Sequence, residues 1–167
     1  NRFMNRIDEM YQSERYHEKV SKLRCFKGIE TFAAMTIQVE TADFERFPSA
    51  KAYASYTGLT TGEHSSGDKN NRIGITKQGN TVIRKTLVEC AQSLVKGNVK
   101  KKKSQGLKSR QKGMDVNIIA YADKATERLK KKYQKLIERN VPRNKAIVAV
   151  ARELACFIWG METGNIH

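Results

Sequence analysis

The sequence predicts a mainly α-helical protein, on three observations. Apolar residues recur at three- and four-residue spacing over long stretches, from Thr81 to Val95, Asp115 to Glu138 and Pro142 to Met161. Helix punctuation stands where such stretches begin and end, with Pro48-Ser49 and Asn80 ahead of helices and Gly58 behind one. No alternating apolar pattern is strong enough for a substantial sheet, and only Arg72 to Thr76 reads as a short strand. The chain's 167 residues suit one ordinary domain, and an apolar content of 39% can supply its core.

In chain order, Phe3 to Leu23 places Met4, Ile7, Met10 or Tyr11, Val20 and Leu23 near helical spacing, interrupted by Glu14 and His17. Its weak apolar stripe predicts a helical, coiled-coil-like arm over residues 1–24, followed by the main domain over residues 25–164. Lys27-Gly28-Ile29-Glu30 reads as a glycine turn, and Thr31 to Val39 as a helix burying Phe32, Ala33, Met35, Ile37 and Val39. Pro48-Ser49 starts a short helix carrying Ala50, Ala52, Tyr53 and Tyr56, which Gly58 ends as a left-handed cap.

Residues 58–80 hold five of the chain's 11 glycines, so regular structure is expected to pause there. A loop of that length inside a compact domain is more often functional than merely connecting. Asn80 is placed to cap a helix from Thr81 to about Val95, with Val82, Ile83, Leu87, Cys90, Ala91 and Leu94 along one stripe. Residues 97–113 have little to bury and are expected to be a basic, flexible segment. Helices through Val116, Ile119, Ala122, Leu129, Tyr133 and Leu136, and through Ile147, Val150, Leu154, Ile158 and Trp159, complete the architecture.

Charge identifies where function lies. Between Lys69 and Lys112, thirteen Lys or Arg side chains stand against Glu89 alone, which accounts for +12 of the chain's +15. The remainder sums to near neutrality. Such localisation is the electrostatic footprint expected for a polyanion, foremost nucleic acid, because each phosphate neutralised releases a counterion. The plain alternative is a solubilising basic surface. No apolar run approaches the roughly 20 residues a membrane span needs, and the expectation is a soluble intracellular protein. Cys25, Cys90 and Cys156 lack the paired spacing of a zinc site and read as buried free thiols. The chain opens Asn1-Arg2-Phe3 and reads as a piece of a longer polypeptide.

The basic region begins just after His64-Ser65-Ser66-Gly67. A hydroxyl beside glycine is accessible, and one surrounded by Lys69, Arg72, Lys77 and Arg84 has cations at hand to stabilise charge developing on an attacked phosphodiester. Taken locally, a Ser-Ser-Gly turn is usually a loop without chemistry. Ser65 competes with Ser66 as nucleophile, and His64 reads as a hydrogen-bonding surface residue rather than a base, since adjacent residues seldom face each other productively. Lys77 and Asn80 suit phosphate binding or, more plainly, turn formation and capping. Lys85, Lys100, Lys101, Lys102 and Lys103 extend the candidate nucleic-acid-binding set. Asp8, Glu9, Asp115, Asp123 and Glu127 lack the convergence a two-metal centre needs and read as solvated helix faces with i,i+4 partners, so no metal site is expected in this chain.

The stretch Gly58 to Asn80, reading G-L-T-T-G-E-H-S-S-G-D-K-N-N-R-I-G-I-T-K-Q-G-N, leads directly into a helix bearing Arg84. It resembles the C-terminal domain of the bridge-RNA-guided insertion-sequence transposases related to the Piv and MooV invertases. The likeness extends through Lys27-Gly28-Ile29, Phe44-Glu45-Arg46-Phe47, Ser49-Ala50-Lys51 and Tyr53 to Leu59, and downstream into Ala149 to Leu154, covering roughly residues 24–164. The resemblance implies a recombinase whose N-terminal RuvC-like domain carries four acidic ligands for Mg2+, while the C-terminal domain supplies a serine that links covalently to DNA. That serine precedes the glycine of the S-G motif, here Ser66. It further implies DNA and a guide RNA as partners, a helix-hairpin-helix-like element, a homodimer or homotetramer, no membrane, and a cytoplasmic, nucleoid-associated setting in a prokaryotic cell. Two positions depart from the family pattern. Glu30 replaces the usual second glycine of a Gly-Ile-Gly turn, which brings an acidic side chain near the expected phosphate path, and Asp68 follows Gly67 where a second glycine is common.

Two other readings of the same residues remain open. One is a non-catalytic module that clamps DNA or RNA backbone, with Ser66 donating only a hydrogen bond; the other is a basic oligomerisation domain built on the N-terminal helix.

Overall fold

The structure, a computed structural model, describes residues 1–59, 81–97 and 102–167. These residues form eight α-helices and no strand: α1 Arg2–Gln12, α2 His17–Leu23, α3 Thr31–Thr41, α4 Ala50–Tyr56, α5 Thr81–Leu94, α6 Gln105–Gln111, α7 Val116–Glu138 and α8 Arg143–Thr163, with a 3-10 turn at Phe44–Arg46. The mainly α expectation therefore holds. The Arg72–Thr76 strand falls outside the described residues.

Helix α8 is the axis. Its sequence sets Ala146, Ala151, Ala155 and Gly160 among Ile147, Val150, Leu154, Ile158 and Met161, all buried. Small residues on several faces let neighbouring helices approach from several sides, and α2, α4, α5 and α7 all pack on it. Helix α5 turns its stripe of Ile83, Leu87, Cys90, Ala91 and Leu94 inward, as its spacing predicts. Gly164 ends α8 in the left-handed region, at φ 79°.

The N-terminal stretch departs from the single helix expected over residues 3–23. The chain breaks at Ser13, whose backbone is extended (φ −71°, ψ 150°) and whose Oγ donates to the Met10 carbonyl at 2.6 Å, so the side chain competes with the helix ladder. Beyond the break, α2 buries Val20 and Leu23 completely, and both α1 and α2 pack on α3. Within α3, Met35 and Ile37 are buried, whereas Phe32 and Val39, expected inside, are 45% and 48% exposed. Helical spacing accounts for this, because positions 32 and 39 are seven apart and share one outer face.

The expectation of a flexible segment over 97–113 also requires correction. Residues 105–111 form α6, capped by Ser104 Oγ, which accepts from the Leu107 N–H at 3.1 Å. Leu107 and Gln111 are buried, so one apolar side chain and specific hydrogen bonds hold down a stretch that composition marks as solvated.

Candidate nucleic-acid interface

The loop proposed to carry chemistry has both ends fixed to the core. On its N-terminal side, Ser49 Oγ caps α4 through the Ala52 N–H at 3.1 Å. Phe44, Phe47, Tyr53 and Tyr56 then form one aromatic cluster, with ring centroids 4.8–5.2 Å apart for Phe44–Tyr53, Phe47–Tyr53 and Phe47–Tyr56. Arg46 lies over the Phe47 and Tyr56 rings and donates to the Thr41 carbonyl, while Trp159 Nε1 donates to the Phe47 carbonyl at 3.3 Å. Tyr53 is fully buried, and its hydroxyl pairs with Thr41 Oγ1 at 2.8 Å. Gly58 follows at φ 76°, and Leu59 is buried. The aromatic motifs quoted above are thus the clamp that seats α4 against α8.

On the C-terminal side, α5 begins at Thr81 and is held along its length. A Cβ at Gly28 (φ 90°) would lie 2.6 Å from the Cys90 carbonyl oxygen, so the Gly28 turn rests backbone to backbone on α5. Lys27 Nζ donates to the Leu94 carbonyl at 2.9 Å and the Lys96 carbonyl at 2.7 Å, covering the negative end of that helix. The positive end of α5 is its N-terminus at Thr81, the residue that follows the Ser66 segment in sequence.

Ser65, Ser66, Lys69, Arg72, Lys77, Lys100 and Lys101 lie outside the described residues, as do His64, Asp68 and Asn80. Arg84 and Lys85 sit in the opening turns of α5. Lys85 is exposed, and Arg84 Nη2 reaches Thr81 Oγ1 at 3.5 Å. Lys102 is exposed. Lys103 is engaged, with its Nζ 2.7 Å from Asp123 Oδ2 and 2.7 Å from Gln111 Oε1. Lys103, Lys108 and Lys112 line an open groove of about 530 Å3, and no acidic side chain stands among its described lining residues.

Arg110, counted with the polyanion-binding charge, turns inward. Its Nε donates to the Arg24 carbonyl at 2.8 Å and its Nη2 to the Phe26 carbonyl at 3.3 Å, with Glu30 Oε1 4.0 Å from Nη1. Burial lowers its basicity, and the Glu30 carboxylate opposes that shift. Glu30 therefore faces an arginine of the same chain.

The helix carboxylates Asp115, Asp123 and Glu127 are engaged by the chain itself. Asp115 caps α7 through the Asn117 N–H, Asp123 holds Lys103 and Gln111, and Glu127 pairs with Lys131 at 2.8 Å. Of the five carboxylates expected to have i,i+4 partners, Asp8, Glu9, Asp115, Asp123 and Glu127, Glu127 alone has one among the described residues. Among the described residues no three His, Cys, Asp or Glu side chains converge to hold a metal, and no helix is long and apolar enough to cross a membrane. All three cysteines are free. Burial pushes the Cys25 thiol up to about 11 and the Cys90 thiol up to about 12, so both stay protonated at neutral pH and serve as packing atoms.

Charge outside the 69–112 segment is less even than its sum suggests. Residues 124–152 hold ten Lys or Arg against Glu127 and Glu138, a second basic concentration on α7 and α8. The signal was present in the sequence as cations at positions 124, 128, 131, 135 and 139, but it sits on a helix whose apolar stripe already explains its spacing.

These features define a helical scaffold that holds the residues on either side of a glycine-rich basic segment and carries further cations of its own. The family model described as Transposase IS116/IS110/IS902 family matches residues 20–105, which bracket that segment. A putative transposase of Sinorhizobium fredii, y4qE, is 38% identical over 143 residues, covering 85% of this chain and 36% of the relative. The transposase of insertion sequence element IS1533 from Leptospira borgpetersenii is 30% identical across 78% of this chain and 37% of its own length. That of IS1111A from Coxiella burnetii is 27% identical across 70% and 33%. No solved structure matches. The chain belongs to the IS116/IS110/IS902 transposase family, and it spans about a third of the length of the curated relatives it matches.

Proposed function

We propose that this chain is the serine-bearing part of a DNA transposase, and that Ser66 forms a covalent ester with a DNA phosphate during transposition. The observation that carries the reading is the family match over residues 20–105, which encloses the Ser-Gly motif and both of the helices that flank it. The chemistry suits the residues. Attack by the Ser66 hydroxyl oxygen forms a phosphoester bond as one sugar–oxygen bond to phosphorus breaks. The serine proton leaves to solvent or a base, and the departing sugar oxygen takes up a proton. One phosphodiester replaces another, so a strand hydroxyl can reverse the step. Charge developing on the phosphoryl oxygens is met by Lys69, Arg72, Lys77 and Arg84, with Lys85, Lys100, Lys101 and Lys102 holding neighbouring phosphates. The positive end of α5 adds its dipole to that set.

On this reading an N-terminal RuvC-like domain would supply the Mg2+ ligands, and no step above runs through them. A guide RNA and a homodimeric or homotetrameric assembly belong to the same proposal, as does a cytoplasmic, nucleoid-associated setting. Recombination by the full-length protein tests the reading: Ser66→Ala should abolish strand exchange while leaving DNA binding within about twofold. Wild-type recombination by Ser66→Ala would defeat it and favour the non-catalytic clamp.

A further inference from the structure

Helices α7 and α8 run antiparallel through the turn at Arg139–Pro142, and an open groove of about 700 Å3 lies along them. Six cations line it: Lys124, Arg128, Lys131, Lys132, Lys135 and Arg139, against Glu127 and Glu153. Glu153 bridges two of them, with Oε1 2.5 Å from Arg128 Nε and Oε2 2.8 Å from Lys132 Nζ. Burial works against the charge of Glu153, yet hydrogen bonds and attraction from Lys132 and then Arg128 outweigh it and hold the carboxyl below its usual range. Glu127 is taken by Lys131. Among the described residues, Lys124 Nζ hydrogen-bonds the His167 carbonyl alone, at 3.3 Å. Lys135 and Arg139 are exposed and have no acidic partner among the described residues.

A surface built for stability alone balances its charges, since exposed ion pairs contribute little and like charges at i,i+4 repel. This one leaves an excess of four cations in a single groove, with Leu136 its only apolar lining residue. From position 124 to 139 the row runs about 22 Å at 1.5 Å per residue. That length corresponds to roughly six base-pair steps along the axis of B-form DNA at about 3.4 Å each.

We propose that this groove is a second docking surface for duplex DNA, separate in sequence from the Ser66 segment, that seats the phosphate backbone without reading bases. The proposal rests on the transposase reading for its choice of DNA.

The test is the full-length protein with Lys124→Gln, Lys135→Gln and Arg139→Gln combined, titrated with a 30-base-pair duplex across a salt series. Each lost phosphate contact should lower the slope of log K against log salt by about 0.9, so the triple variant should lose about 2 to 3 in slope, with affinity at ~0.1 M salt down at least tenfold. An unchanged slope and affinity would overturn the proposal. So would a loss confined to a hairpin RNA titrated in parallel, because the surface would then serve RNA. The Ser66 variant separates the two claims: a groove variant that binds DNA normally while Ser66→Ala abolishes strand exchange sinks the groove alone, and a wild-type protein with no DNA affinity sinks both.

Discussion

Gly28 and Cys90 meet backbone to backbone: a Cβ at position 28 would lie 2.6 Å from the Cys90 carbonyl oxygen and 3.0 Å from the Leu94 nitrogen, at a φ of 90°. The contact ties the turn before α3 to the C-terminal half of α5, the helix that follows the Ser66 segment in sequence. Gly28→Ala combines left-handed strain with overpacking against a helix backbone that cannot yield locally. Chemical denaturation should register a loss of about 2–4 kcal/mol. A cost below about 0.5 kcal/mol would show that the turn is not held as described.

Arg110 should behave as a structural residue. Its guanidinium serves the Arg24 and Phe26 carbonyls from a mostly buried position, with the side chain 12% exposed. Arg110→Ala is expected to cost about 2 kcal/mol by stranding those acceptors, and Arg110→Lys to recover only part, since an ammonium lacks the planar fork. Denaturation midpoints of the two variants measure the difference.

Lys102 and Lys103 should differ although adjacent. Lys103 is committed to Asp123 and Gln111, whereas Lys102 is exposed. Lys103→Gln should weaken DNA binding less than Lys102→Gln does, and should lower stability by less than about 1 kcal/mol because the pair is partly solvated. Fluorescence anisotropy with a labelled duplex gives the comparison.

Glu162 supplies a pH dependence. Burial pushes its carboxyl up to about 8 from 4.5, against the pull of Lys22 and Lys19, and its Oε2 has no hydrogen-bond partner. The folded state holds this proton more tightly than the unfolded chain does, so the group costs nothing below about pH 4.5 and an increasing amount as pH climbs from 4.5 through 8. Stability should therefore fall over that window. Glu162→Gln should flatten the fall and raise stability at pH 9 by up to about 5 kcal/mol, at 1.36 kcal/mol per pKa unit. Urea unfolding at pH 6 and pH 9 checks both sign and size.

How much of this was legible in the sequence depends on the element. Helices α5, α7 and α8 could be read because their apolar residues repeat at helical spacing and pack as that spacing dictates. The Ser49 cap and the left-handed Gly58 were likewise local signals with local outcomes. Helix α6 was hidden because tertiary bonds from Arg110 and Gln111 to residues 24–26, more than eighty positions away, stabilise it. The aromatic residues Phe44, Phe47, Tyr53 and Tyr56 were visible as motifs, but their clamp depends on Trp159 and Thr41 arriving from other helices. Of the candidate site, the sequence supplied Ser66 and the cations of residues 69–112, while the inward turn of Arg110, the Lys103–Asp123 pair and the α7 groove needed the packed helices.

The central claim is that the Ser66 oxygen becomes ester-linked to DNA. The full-length protein should be incubated with duplex substrate, denatured, digested with nuclease and protease, and its peptides analysed by mass spectrometry. A nucleotide phosphate on the peptide containing Ser66, lost in Ser66→Ala and kept in Ser65→Ala, is the outcome the account requires. An adduct mapped to another residue, or recombination proceeding with no adduct at all, would contradict it.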